Sequence, residues 1–179
     1  RSNLFRLMLS AALAGTAVQA HAVDVEVEVQ NLTRGIYFTP LLVTAHTPDQ
    51  SLFNVGEAAS AELQAMAEGG DISGLETAAM AISADMVANP AGGLLMPTAS
   101  TTATFTTADT NTALSIVGML LPTNDGFVGL NSWPIPQEAG TYTVYLNAYD
   151  AGTEANDEIR GGGAPGAPGM PVPPPLEDL

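Results

Sequence analysis

The fold is decided first by residues 23–31, "VDVEVEVQN", in which valine alternates with polar residues without a break. The valines fall on one face of an extended chain, and the acidic residues and the glutamine fall on the other. Strict alternation of this kind predicts a β-strand with one face in the core and one face in water. The rest of the chain must therefore supply the surface that covers the valine face.

Downstream segments predict further short strands, separated by Gly, Pro and polar turns. Residues 36–46, "IYFTPLLVTAH", predict two strands or one strand bent at Pro40, and residues 99–107, "ASTTATFTT", an exposed strand. Residues 113–130, "ALSIVGMLLPTNDGFVGL", predict a buried strand, a turn and another strand, and residues 140–150, "GTYTVYLNAYD", a last one. The pattern predicts an all-β fold, an antiparallel two-sheet β-sandwich.

The middle of the chain has helical periodicity instead. Residues 60–70, "SAELQAMAEGG", predict a short helix that ends at the paired glycines. Residues 73–88, "SGLETAAMAISADMVA", predict a second helix with Ser73 and Glu76 as a capping box and an apolar stripe that reaches Met86. Met66 and Met80 are expected to pack between elements. We therefore expect one or two short helices inserted in the sandwich.

The two ends differ from the domain between them. Residues 1–22 predict a signal peptide, with a basic start, an apolar run and small residues at Ala20 and Ala22 for cleavage. The alternative, an uncleaved membrane anchor, is less favoured because the run is shorter than the roughly 20 residues that span a bilayer. Residues 161–179, dominated by Gly and Pro, predict a disordered tail. Residues 23–160 remain as one domain of a secreted or periplasmic protein.

The amino-acid composition limits the classes of partner and of site that the protein can have. The chain has 19 acidic residues, four arginines and no lysine, for a formal net charge of −15 at pH 7. Such a surface repels nucleic acid and anionic lipid, so we expect no nucleic-acid partner and no stable membrane insertion after signal cleavage. The absence of cysteine excludes disulfides, a thiol nucleophile and a zinc–thiolate site. The exported domain must be held by its core and by any bound metal.

An enzyme is the less favoured alternative. His46 follows an apolar strand without a nucleophile-elbow motif, and such a histidine usually bonds to backbone. Sugar-cleaving sites need two carboxylates in a cleft that is usually rich in aromatic residues, and this chain has one tryptophan. We therefore expect a non-enzymatic protein. The alternative is an exported hydrolase that uses Asp125, Asp150 and Glu154 as acid–base groups.

Two acidic loops directly follow apolar strands: "PTNDGFVGL" around Asp125, and "YDAGTEANDE" with Asp150 and Glu154. Calcium prefers six to eight oxygen ligands on loops that can wrap it. If the two loops meet at one end of the sandwich, the three carboxylates converge, and a cation would relieve their repulsion. The spacing alone leaves both a calcium site and a solvated acidic turn open, and it does not fit the EF-hand pattern.

Three segments in matching order resemble the spondin N-terminal domain family: "FNVGEAASAELQAMAEGGD", "MLLPTNDGFVGL" and "AYDAGTE". The similarity covers about residues 24–158 and is greatest to exported, bacterial-type members. It implies a β-sandwich with a calcium ion held by Asp125, Asp150 and Glu154. Glu154 stands where animal members have Asp, and Gly126 stands where they have Trp.

The resemblance also implies a role. Animal members occur in secreted matrix proteins and take part in adhesion, which implies a calcium-binding module for binding or adhesion, with an extracellular protein or matrix component as partner. No matched motif marks the surface that would contact such a partner, and fold alone does not set function. A structural domain with an acidic rim and no specific ligand is the remaining alternative.

Overall fold

The computed structural model describes residues 21–156, 159–160 and 170–171, which form antiparallel sheets with two short helices in the middle of the chain. The helices are α1 (Ala61–Gly69) and α2 (Ser73–Ala81). The strands are β1 (Asp24–Gln30), β2 (Tyr37–Phe38), β3 (Leu42–His46), β4 (Asp85–Ala88), β5 (Ser100–Thr106), β6 (Ala113–Leu121), β7 (Gly126–Pro134), β8 (Asn147–Asp150), β9 (Ile159–Arg160) and β10 (Met170–Pro171). The predicted all-β class with inserted short helices is confirmed.

Two sheets build the domain. The central sheet has the order β4-β3-β6-β7-β8, with β2 paired to the end of β6, and the second sheet is the β1–β5 pair. The β1–β5 pair covers one face of the central sheet, since Val29 and Ala103 share a core cluster with Val43, Ile116 and Val128. The helices cover the other face. The central sheet is therefore buried on both sides.

Strand β1 behaves as its alternation predicts. Its valines face the central sheet, and Asp24, Glu26 and Glu28 are exposed on the outer face. Val29, at the end of the strand, is 4% exposed, and full burial of a valine side chain contributes about 1.5–3 kcal/mol. The central sheet therefore covers the valine face of β1, as the alternation in the sequence requires.

Helix α1 begins and ends where the sequence predicts. The Ser60 hydroxyl accepts a hydrogen bond from the Leu63 N–H at 3.2 Å, and Gly70 takes the left-handed conformation, φ 70°, that terminates the helix. Leu63 and Met66 are buried against the central sheet, as expected for Met66.

Helix α2 departs from the prediction at both ends. The N-cap position is Ile72, and the Asp71 carboxylate accepts from the Ser73 N–H at 2.9 Å, so the predicted Ser73 capping box is wrong. The helix stops at Ala81 because Ser83, with φ 57°, turns the chain into β4. Met86 is therefore on a strand, paired with β3, and Met80 is 58% exposed instead of packed.

The predicted strand at residues 140–150 is shorter than expected. Residues 141–146 form no strand, and β8 pairs with β7 only from Asn147 to Asp150. Beyond this register β7 becomes irregular, since Ser132 has φ 49° and donates its N–H to the Ser115 hydroxyl of β6 at 2.9 Å. Pro134 has no N–H to donate.

The chain ends lie mostly outside the described residues. This holds for residues 1–20 of the predicted signal peptide and for the predicted tail apart from β10, which pairs with β9. Within the described part of the chain, no helix combines the length and the apolar character needed to cross a membrane.

Candidate metal centre at the end of the central sheet

The topology brings the two acidic loops together. Strands β6 and β8 flank β7 and are both antiparallel to it, so the loops that follow them lie at the same end of the sheet. Gly126 pairs with Asp150, which places Asp125 beside the turn that follows β8. The Ala151 N–H donates to the Asp125 carbonyl at 3.2 Å. The condition set by the sequence, that the loops meet, is satisfied.

Asp125 is the buried member of the site, with 4% of its surface exposed. Its Oδ2 accepts hydrogen bonds from the N–H groups of Thr153, at 2.9 Å, and Glu154, at 3.1 Å. The Thr153 hydroxyl lies 3.4 Å from the same oxygen. No hydrogen-bond donor within residues 21–156 reaches the other carboxylate oxygen, Oδ1, which leaves it open to a cation.

Asp150 is the exposed member. Its Oδ1 accepts from the Gly152 N–H at 2.6 Å, and its Oδ2 accepts from the Asn156 side-chain amide at 3.0 Å. The Asn156 amide, and after it the Gly152 N–H, hold the pKa of Asp150 below its ordinary value. The neighbouring Asp125 carboxyl lowers the pKa of Asp150 further, by less than these two groups do. Two acidic groups therefore lie side by side, and Asp150 is ionised at neutral pH.

Glu154 lies in the turn that follows Asp150, and it contacts Asp125 through its backbone. Its backbone N–H faces Asp125, and its side chain is half-buried. In the described part of the chain, no three His, Cys, Asp or Glu side chains are grouped so that they could hold a metal ion. Asp157 and Glu158, the last two acidic residues of "YDAGTEANDE", lie outside the described residues. The structure thus brings Asp125 beside Asp150 and ties Glu154 to Asp125 through its backbone, while the three carboxylates do not form one group among the described residues.

Three aromatic rings pack together close to the two acidic loops. The ring centroids of Phe53, Phe127 and Tyr149 are 5.0–5.3 Å apart, within the range of favourable aromatic pairs. Phe127 and Tyr149 are close in sequence to Asp125 and Asp150, so the cluster fixes both strand ends. Sequence reasoning missed it because Phe53 comes from the loop before α1, and no local pattern links it to the two strands.

The oxygen donors fit a hard cation. Carboxylates and backbone carbonyls are the ligands that calcium takes, whereas a structural zinc site would need thiolate or imidazole groups. Asp125 offers a buried carboxylate oxygen without a donor, and Asp150 offers an ionised carboxylate beside it. The turn between Asp150 and Asn156 is a loop rather than a strand or helix, as wrapping of a cation requires.

His46 lies away from this pair, in a fully buried hydrogen-bond chain. Its Nδ1 is 2.8 Å from the Thr47 carbonyl, so Nδ1 carries the proton and donates it. Nε2 then accepts from the Ser115 hydroxyl at 2.7 Å. His46 and Ser115 both have 0% exposure, so a substrate has no access to the hydroxyl. The expected strand-end histidine bonded to backbone is confirmed.

Comparison with known proteins gives the family. A search of curated proteins finds no match to the chain. The family model described as Spondin_N matches residues 29–168, which is well over half of the chain and includes both helices and both acidic loops. The resemblance seen in the two loop motifs therefore extends over most of the domain, and the chain belongs to the spondin N-terminal domain family.

Proposed function

We propose that this protein is an extracellular, non-catalytic binding module whose two acidic loops are joined by calcium at Asp125, Asp150 and Glu154. Membership of the spondin N-terminal domain family supports the coarser statement, an extracellular binding-type module. The family is one of non-catalytic modules, which favours binding over the hydrolase alternative. Calcium and an adhesive role are the further steps that we propose.

The observation that carries the calcium proposal is the Asp125–Asp150 pair. Asp125 directly precedes Gly126, which pairs with Asp150. Two carboxylates held near each other repel when both are ionised, and a cation between them would remove that cost. Calcium, when bound, would supply positive charge and link the loop before β7 to the loop after β8. The chain's own residues already hold the two loops at one end of the sheet.

Glu154 is the least constrained of the three proposed ligands. Its backbone is tied to Asp125 through the N–H group, which keeps its side chain in the turn that borders the pair. A glutamate carboxylate on a loop can reach a cation directly or through water. We therefore propose Asp125 and Asp150 as the principal ligands and Glu154 as the third.

The proposed role is adhesion or binding to an extracellular protein or matrix component. Calcium would support that role by stabilising the folded domain. A ligand that binds only the folded state adds about 2.7 kcal/mol to the free energy of unfolding at a hundredfold excess over its Kd. For a domain of this size each kcal/mol raises Tm by about 2–4 °C. Saturating calcium should therefore raise Tm by roughly 5–10 °C.

The test is thermal unfolding of chelator-treated protein, followed by titration with calcium and, separately, with magnesium. We expect calcium to raise Tm and magnesium to do so less, since magnesium demands near-octahedral geometry. Isothermal titration of the folded protein measures the same binding directly, without reference to unfolding.

Matched variants assign the effect to the site. Asp150→Asn should abolish most of the calcium-dependent rise, whereas Glu28→Gln, on the exposed outer face of β1, removes the same charge and should leave it intact. If calcium leaves Tm and the titration heat of the unmodified protein unchanged, or if both variants respond equally, the proposed calcium site is wrong.

A further inference from the structure

Four exposed apolar side chains lie on two adjoining segments at the end of the molecule that carries the acidic loops. They are Leu32, Tyr37, Leu94 and Met96, which are 67%, 38%, 49% and 59% exposed and are called the apolar strip below. Exposed large apolar side chains that are grouped in this way often mark a surface that binds another molecule.

The strip is a consequence of strand pairing. The Phe38 N–H donates to the Leu95 carbonyl at 3.1 Å and the Leu95 N–H to the Phe38 carbonyl at 2.8 Å. Because Phe38 and Leu95 point into the core, their neighbours Tyr37 and Met96 emerge side by side on the opposite face. The backbone therefore holds the strip in place.

Two further pairings set the position of the strip. The Thr98 N–H donates to the Asn31 carbonyl at 2.8 Å, which brings Leu32 to the segment that contains Met96. Tyr37 pairs with Leu121, four positions before Asp125. The strip is thus continuous with the end of the central sheet that carries the proposed calcium site.

Arg34 lies in the same loop as Leu32, and it is the single Arg or Lys in the sequence between residues 21 and 156. Its side chain is exposed, and within the described residues it makes no ion pair, hydrogen bond or ring contact, although the chain carries 19 acidic residues. Arg34 is therefore the one permanent positive charge of residues 21–156, it contacts no partner among the described residues, and it lies in the loop that contains the exposed Leu32.

We propose that the apolar strip and Arg34 together dock an extended apolar segment of another extracellular protein, one that presents a carboxylate to the Arg34 guanidinium. Tyr, Met and Arg are the residues that protein interfaces favour, and Arg binds carboxylates with two parallel hydrogen bonds. The net charge of the chain is −15, so the rest of the surface repels an acidic partner. The Arg34 charge therefore directs such a partner to the apolar strip. The inference rests on the proposed binding role and names the kind of partner.

The test is an NMR titration of the full chain, labelled at methionine methyls and backbone amides. The probes are two blocked peptides, Leu-Asp-Leu-Glu-Phe and its uncharged counterpart Leu-Asn-Leu-Gln-Phe, at an ionic strength of about 0.15 M, where charges beyond about 8 Å are screened. We expect the acidic peptide to shift the Met96 methyl and the Tyr37 amide and to bind about fivefold more tightly than the uncharged one.

Four variants separate the contribution of the Arg34 charge from that of the apolar strip. Arg34→Gln should equalise the affinities of the two peptides, and Arg34→Lys should restore part of the difference. Met96→Ser should weaken the binding of both peptides, whereas Val55→Ser, which alters an apolar residue outside the strip that is 71% exposed, should weaken the binding of neither. Equal affinities for the unmodified protein, or shifts that avoid the strip, would overturn the proposal.

Two other occupants would also overturn it. A dimer that forms with rising protein concentration and is lost in Arg34→Gln would assign the strip to a second copy. Nuclear Overhauser contacts from the Met96 methyl to residues beyond 160, before any peptide is added, would assign it to the chain's own C-terminal segment.

The result of the peptide titration does not depend on the result of the calcium test. Each titration is run with calcium and with chelator, and the difference between the two peptides should persist in both. If peptide binding fails while calcium raises Tm, the strip proposal falls and the calcium site stands; the reverse result removes calcium alone.

Discussion

At the scale of single residues, two aspartates of one site are held in different ways. Asp125 is buried and bonded to the N–H groups of a turn, whereas Asp150 is exposed and bonded to Gly152 and Asn156. Sequence reasoning placed both in loops that could meet, but it contained no information on these donors. Asn156 in particular was not singled out, because an isolated asparagine six positions from Asp150 carries no motif.

Asp150 predicts how stability depends on pH in calcium-free buffer. Its pKa in the folded protein lies below the ordinary value, so near pH 4 the unfolded chain binds more protons than the folded one. The stability from this group is complete above the ordinary pKa and is lost as pH falls through the folded pKa. Urea unfolding should therefore show a smaller loss between pH 6 and pH 3 for Asp150→Asn than for the unmodified protein.

Glu28→Gln is the matched control for this experiment, since it removes an exposed carboxylate on β1. It should lose as much stability as the unmodified protein over the same pH range. An equal loss in Asp150→Asn would show that the hydrogen bonds from Asn156 and Gly152 do not favour the ionised form.

At the scale of elements, the aromatic cluster explains why β7 carries a glycine in its middle. A Cβ at Gly129 would lie 2.9 Å from the Phe53 ring and 3.1 Å from the Tyr149 ring, closer than side chains normally approach. The absence of a side chain therefore lets two rings pack across the strand. The cluster in turn holds β8, the short strand that carries Asp150.

Gly129→Ala should destabilise the domain, because the added methyl group overpacks the ring cluster. Overpacking of this kind costs about 1–3 kcal/mol, measured as a lower midpoint of urea unfolding. Gly35→Ala is the control, since a Cβ there meets nothing within 4 Å, and it should change stability by less than about 0.5 kcal/mol. Equal midpoints for the two variants would mean that the rings move aside without cost.

Elements were predictable where one local signal dominated. The alternation in β1 and the Ser60 cap and Gly70 terminator of α1 are short-range signals, and both elements form as expected. The strand at residues 140–150 has an equally clear pattern but forms only in its last four residues, the ones that pair with Gly126–Gly129 of β7. A strand's partner decides its length.

At the scale of the whole molecule, charge opposes the compact state. The net charge of −15 makes the acidic groups repel one another throughout the folded surface. Core packing on both faces of the central sheet must outweigh this repulsion without disulfides. Stability should therefore respond to the ionic strength of the solution.

In calcium-free buffer, Tm should rise by several degrees as sodium chloride increases from about 0.01 M to 0.1 M, because the screening length falls from about 30 Å to 10 Å. Tetramethylammonium chloride should give a similar rise, since the effect needs only screening. A Tm that stays constant in both salts would show that the acidic groups are too well hydrated, or too far apart, to destabilise the fold.

Composition and short-range patterns already determine the all-β class, the inserted helices and the acidic surface, since each depends on neighbours along the chain. The tertiary structure alone decides that β6 and β8 flank β7 and that Asp125 lies beside Asp150. It alone also places Arg34, which contacts no partner among the described residues, in the loop next to the apolar strip. These features join residues far apart in sequence, and long-range pairing depends on the packing of the whole core rather than on any local pattern.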